Sequence, residues 1–124
     1  MTPNEVSKAI IDAAFKVHTT LGAGLLENAY KVCLKRELLE RNLFVLSEVT
    51  MPIVYADDTI DVGYRVDLLV ERSVIVELKS VAQLARIHKA QLLTYRKLSK
   101  VSLGLLLNFN SPHLKDGIVR MINS

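Results

Sequence analysis

One mixed β-sheet flanked by helices, an α/β layer fold, is what this 124-residue sequence predicts, and three observations predict it. Apolar residues recur at helical spacing from Val6 to Leu38. From Leu43 the texture switches to β-branched, alternating residues. An amphipathic stretch then leads into "VSLGLLLNF", an apolar run that reads as a strand buried on both faces and reached through a helix.

The elements follow in order. Thr2 as cap, Pro3 at the first helical position and Glu5 three residues after the cap announce a helix over residues 3–20. Val6, Ile10, Ala13, Ala14, Val17 and Leu21 give it one apolar stripe. Gly22 and Gly24 supply a turn or cap, and Leu26, Ala29, Tyr30, Cys33, Leu34 and Leu38 resume the period over residues 25–41. "LFVLSEVTMPIVYA", a turn at Asp57 and Asp58, "TIDVGYRVDLLVE", a turn at "ERS" and "VIVELKSV" then predict a three-strand antiparallel meander. Pro52 assigns the first strand an edge position or a bulge. "AQLARIHKAQLLTYRKLSK" holds a third helix of roughly 16 residues on its apolar period. The order is α-α-β-β-β-α-β, with the last strand parallel to a neighbour inside the sheet and a further short strand expected at Gly117 to Ile122.

Composition narrows the function. Half the residues are hydrophobic and 23% are charged, with no low-complexity tract, which excludes disorder. Residues 1–124 show no linker or repeat, so one domain is expected. No apolar run reaches the ~20 residues that span a bilayer, and no signal-peptide layout opens the chain. A cytoplasmic protein without membrane contact is the expectation. The one cysteine, Cys33, excludes an internal disulfide and multi-cysteine metal sites, and its apolar helical setting reads as core packing. A net charge of +3 permits a phosphate-rich partner without requiring one.

The chemistry gathers in "YRVDLLVERSVIVELKS". Alternation places Tyr64, Val66, Leu68 and Val70 on one face with Val74, Val76 and Leu78, leaving Asp67, Glu77 and Lys79 on the other. A three-residue loop, Glu71 to Ser73, sets Asp67 across from Glu77 with Cβ atoms about 5 Å apart. Like charges so placed repel unless a cation, a proton or Lys79 compensates. Two carboxylates with the Leu78 carbonyl between them form an oxygen set suited to Mg²⁺ or Mn²⁺. The bland alternative is a solvated strand face whose charges pair with one another; Leu69 and Ile75 on the same face argue for a covering helix instead. On the third helix His88, Gln91 and Tyr95 share a stripe with Leu84.

Together these residues resemble a known superfamily. Asp67, then Glu77-Leu78-Lys79, after a helix bearing Glu27 and before one bearing Gln91-Leu92-Leu93-Thr94-Tyr95, is similar to the PD-(D/E)XK nuclease pattern, and Gln-x-x-x-Tyr to that of its RecB-like branch. Gly24-Leu25-Leu26-Glu27-Asn28-Ala29-Tyr30 resembles the signature of the small GxxExxY proteins, and "YRVDLLVE", "VIVELKS", "HKAQLLTY" and "GLLLNF" resemble that family's blocks in order. Val66 stands where the pattern has proline, which leaves the carboxylate itself unaffected.

The resemblance implies a restriction-endonuclease-like fold and hydrolysis of phosphodiester bonds in nucleic acid, DNA foremost, with Mg²⁺ or Mn²⁺. It implies that Asp67, Glu77 and the Leu78 carbonyl hold the metal and that Lys79 positions water and stabilises phosphate charge. Glu27 is implied either as a further metal or water ligand or as an orienting partner for Lys79. Gln91 and Tyr95, with His88 beside them, are implied to contact the nucleic-acid backbone. A chain this small implies a homodimer or partner protein for target choice. The alternative reading is a non-catalytic nucleic-acid-binding or protein-interaction module that keeps the fold.

Overall fold

In the computed structural model, which describes residues 1–122 apart from the side chain of residue 62, the helix entry signal closes as a capping box. Thr2 Oγ1 accepts the Glu5 N–H at 3.2 Å and the Glu5 carboxylate accepts the Thr2 N–H at 3.0 Å. The helix, α1, runs Pro3–Leu21 and ends at Gly22, whose φ of 72° is one a side chain would resist. Gly24, at φ 103°, completes the turn into α2, Glu27–Glu40. This helix starts two residues later than its period suggests, because Leu25 is held by side chains from elsewhere. The Tyr30 hydroxyl accepts its N–H and Ser80 donates to its carbonyl.

Strands β1, Val45–Tyr55, β2, Asp58–Val70, and β3, Val74–Lys79, form the expected meander. The first turn falls on Ala56 and Asp57, both at positive φ, as a two-residue hairpin requires. β1 lies at the sheet edge, and its register with β2 slips at Pro52, between Met51 and Ile53. Helix α3, Arg86–Ser99, is 14 residues long and starts where the His88 ring accepts the Ala85 N–H. It delivers β4, Leu103–Asn108, parallel to β3 and inside the sheet. A 3₁₀ turn, Leu114–Gly117, leads to β5, Ile118–Ile122, the further short strand expected at the chain's end, which pairs antiparallel with β4 at the sheet edge. The sheet order is β1-β2-β3-β4-β5, the mixed sheet of a restriction-endonuclease-like fold.

Both sheet faces are covered. Leu68, Val70, Val74, Val76, Leu78, Leu103, Leu105 and Leu107 pack with α1 and α2 through Ile10, Ala13, Ala14, Tyr30 and Leu34. Leu69, Ile75 and Leu106 pack with Leu92 of α3 on the other face. Cys33 is a partly buried neighbour of the larger cluster, the packing role expected of it.

One expectation about faces is corrected. Tyr64 and Val66 belong with the α3 cluster and not with Leu68 and Val70. The strict alternation breaks at the pair Glu48 and Asp67, which lies between the regular pairs Ser47↔Leu68 and Val49↔Val66. Glu48 takes a φ of 54°, so the pleat is interrupted there and the preceding β2 residues turn to the opposite face. The charges therefore sit at a break between two apolar cores, not on a polar face.

Candidate active site

Asp67 and Glu77 lie where the β2–β3 ladder ends. Regular pairing runs Val70↔Val74, Leu69↔Ile75 and Leu68↔Val76, so the next facing residues are Asp67 and Glu77, the register the three-residue loop predicts. Here side chains take over from the main-chain ladder. Glu77 Oε2 accepts the Asp67 N–H at 3.0 Å, and Asp67 Oδ2 accepts the Leu78 N–H at 2.9 Å. The two carboxylates are thereby locked side by side, each fixed to the facing strand.

That closeness has an electrostatic consequence. Glu77 is only 7% exposed. Burial first, then hydrogen bonding to and repulsion from the Asp67 carboxylate, pushes the Glu77 carboxyl up to about 9, with Lys79 opposing the rise. Without a compensating cation the pair holds a proton.

Glu27 opens α2, where the helix dipole favours a negative charge. Its carboxyl is also raised, by burial and then by Asp67, while Lys79 and Lys31 pull it down. The structure thus brings Glu27, Asp67, Glu77 and Lys79 into one electrostatic neighbourhood. Lys79 is half-buried and forms no ion pair among the described residues.

Two residues that sequence reasoning missed complete the cluster. Lys31, one turn after Glu27, pairs with Glu48 and lies 3.6 Å from Asp67 Oδ1. Glu48, opposite Asp67, also pairs with Arg65 at 3.0 Å. Their signals were the i,i+4 spacing from Glu27 to Lys31, which was readable, and the Pro52 register slip, which was not countable from sequence.

The frame around the site is polar and specific. Tyr30 is buried, stacks on Phe109 with ring centroids 4.7 Å apart, and donates its hydroxyl to the Gly22 carbonyl. The buried Asn108 at the end of β4 accepts the Val81 N–H at 3.1 Å and donates to the Val81 carbonyl at 2.9 Å. Asn110 accepts the Gly24 N–H at 3.1 Å. These bonds tie the turn before Glu27 and the segment after Lys79 to one strand end. Sequence reasoning also missed both asparagines; polar residues closing the apolar "GLLLNFN" were the available sign.

From α3, Tyr95 reaches the site's field. Its phenol is held protonated by burial and by the Glu77 and Asp67 charges, and its ring stacks on Tyr64 at 4.6 Å between centroids. Gln91 lies one turn earlier, half-buried, with no side-chain hydrogen bond among the described residues. His88 is used locally, capping the helix start, so its ring is engaged away from the carboxylates.

The donor set suits a hard divalent ion: two carboxylates and a carbonyl, with a buried acid that needs a cation in order to ionise. Among the described residues no group of three His, Cys, Asp or Glu is gathered closely enough to hold a metal.

A mixed sheet whose adjacent strands converge two carboxylates and a lysine beneath a flanking helix defines the class of restriction-endonuclease-like domains. A family model of the PD-(D/E)XK nuclease superfamily matches residues 4–121, and the chain belongs to that superfamily. Comparison with curated proteins and with solved structures gives no match. The family supports a nuclease-type function in general, with nucleic acid as substrate, and its members generally use divalent metals. No helix among the described residues is long and apolar enough to cross a membrane.

Proposed function

We propose that residues 1–124 form one domain that hydrolyses phosphodiester bonds in DNA, and that it belongs to the GxxExxY group within the RecB-like branch. The observation that carries this reading is the reciprocal locking of Asp67 and Glu77 onto each other's strands, with Lys79 two residues further on. Asp67, Glu77 and the Leu78 carbonyl hold Mg²⁺ or Mn²⁺, and Glu27 acts through a water or through Lys79. The bound ion supplies Lewis acidity and lowers the pKa of a coordinated water. Lys79 orients the attacking water and offsets charge growing on the phosphate, an effect worth about 3 kcal/mol for a well-placed donor. Tyr95, protonated, donates to a backbone phosphate oxygen; Gln91 extends that contact by one turn. His88 contributes by fixing the helix start. Cytoplasmic location and a homodimer or partner for target choice complete the reading.

The test is a nuclease assay on single-stranded, double-stranded and branched DNA with Mg²⁺ or Mn²⁺, run beside Asp67→Ala and Lys79→Ala. Cleavage by the wild type that both variants lose is the expected result. A wild type as inert as its variants, yet still binding DNA, would give the site to the second reading, a binding module that keeps the fold. One observation favours that reading: the Lys31 ammonium already lies against Asp67 and Glu48, partly neutralising the acidic cluster.

A further inference from the structure

Among the buried charged residues described, Arg96 is the one whose burial the site above does not explain. It follows Leu92 by one turn on the core-facing side of α3 and is 7% exposed. Its Nε is buried without a hydrogen-bond partner, and its guanidinium forms no ion pair among the described residues. A guanidinium is always charged, and removing it from water without a partner is costly. The side chain lines a cavity of about 340 Å³ shared with Lys97, Lys100, Val101 and Ser102. Three cations and a hydroxyl face this space, and no carboxylate lines it.

A basic last turn also complements the negative end of a helix dipole, and Lys97 satisfies that role from the surface. The dipole does not require a third cation or a buried one. Burial of Arg96 instead leaves its Nε donor unpaired beside a basic cavity that the side chain lines, and a guanidinium's planar donors together with neighbouring ammoniums suit a tetrahedral oxyanion.

The geometry points to a phosphate-binding site formed by Arg96, Lys97, Lys100 and Ser102, which takes a backbone phosphate of the nucleic-acid substrate away from the bond being cut. The cavity opens beside the start of β4, whose Leu103 pairs with Val74, while Glu77 pairs with Leu106. Three residues of strand rise, about 10 Å, separate those two levels of the sheet. Tyr95, the neighbour of Arg96, lies in the electrostatic field of Glu77 and Asp67, so a nucleic-acid strand lying along α3 meets both places. The choice of a nucleic-acid phosphate rests on the nuclease reading; the oxyanion site does not.

The test uses the full chain and Lys97→Ala/Lys100→Ala, two exposed positions whose loss leaves the core intact, with Arg96→Lys as a second variant. The first readout is thermal unfolding in inorganic phosphate against chloride at matched ionic strength. Phosphate should raise the wild-type Tm by ~3 °C or more, and the shift should vanish in the double variant and shrink in Arg96→Lys. The second readout is salt-dependent binding of a DNA oligonucleotide to Asp67→Ala, with and without the double change. The slope of log affinity against log salt should fall by about one in the double variant. No phosphate shift in the wild type overturns the site. A phosphate shift with an unchanged DNA slope overturns its assignment to the substrate. If the nuclease assay fails while both readouts behave as expected, the phosphate site stands and the cutting reading alone falls.

Discussion

Glu77 is the carboxyl whose ionisation folding resists, and this makes stability respond to pH in a definite direction. Its folded-state pKa is raised, to about 9 from an ordinary 4.5, so the folded chain keeps a proton that the unfolded chain releases. The stabilising contribution is full below the unfolded value and is lost as pH rises through the folded one. Glu27 is shifted the same way, chiefly by burial. In chelator, the unfolding free energy of the wild type should therefore fall between pH 5 and 9, by at most about 1.4 kcal/mol per pH unit for Glu77, and its Tm should fall with it. Glu77→Gln should flatten that decline; parallel curves for the two proteins would show that the shared proton does not exist. Lys31 works against the same cluster from α2, since its ammonium occupies part of the field a divalent ion would fill. Lys31→Met should bind Mn²⁺ about fivefold more tightly, the equivalent of ~1 kcal/mol for a partly buried pair, and should be less stable without metal. Calorimetric titration that finds equal or weaker binding would make Lys31 part of the metal-holding set instead.

At the scale of elements, the motif around Gly24, Glu27 and Tyr30 resolves into a turn, an acid and a clamp. Tyr30 accepts the Leu25 N–H at 3.1 Å and donates to the Gly22 carbonyl, so one hydroxyl closes the α1–α2 turn that aims Glu27. Tyr30→Phe keeps the stack on Phe109 but strands two backbone groups, and it should cost about 1–3 kcal/mol in urea unfolding. A loss under a few tenths would mean that water replaces the hydroxyl freely. The same elements show how far the sequence could be read. Periodicity located α1, the meander, α3 and the parallel β4, because each carries its own pattern of burial. The odd loop at Glu71 to Ser73 even gave the facing of Asp67 and Glu77, since hairpin register is a local property. What was not legible was the face of Tyr64 and Val66. That depends on a left-handed Glu48, nineteen residues away in sequence from Asp67 by the numbering, which leaves no periodic trace, whereas the slip at Pro52 was announced by the proline itself. Asn108 and Asn110 escaped notice for a related reason: an asparagine's hydrogen-bond partners are set by which loops meet it in space.

Across the whole molecule, the central strands contribute to both cores at once. Leu68 and Leu69, Val74 and Ile75, and Leu105 and Leu106 are sequence neighbours assigned to opposite apolar clusters. The α1–α2 layer and the α3 layer are therefore two coats on one sheet, and loosening either exposes a strand that the other needs. The site lies at the break between these coats, with Glu27 and Lys31 from one side and Tyr95 from the other. This arrangement predicts one cooperative unfolding transition. Leu105→Ala removes packing from the α1–α2 side and Leu106→Ala from the α3 side; each side chain is fully buried, so each should cost about 2–5 kcal/mol. Both variants should still unfold in a single step, with far-ultraviolet circular dichroism and tyrosine fluorescence giving the same midpoint. Tyr64 and Tyr95 report the α3 side and Tyr30 the other, so the fluorescence follows both layers. A separate early transition in Leu106→Ala, with α3 detaching while the α1–α2 core persists, would show that the layers are uncoupled and that the site can be dismantled without unfolding the sheet.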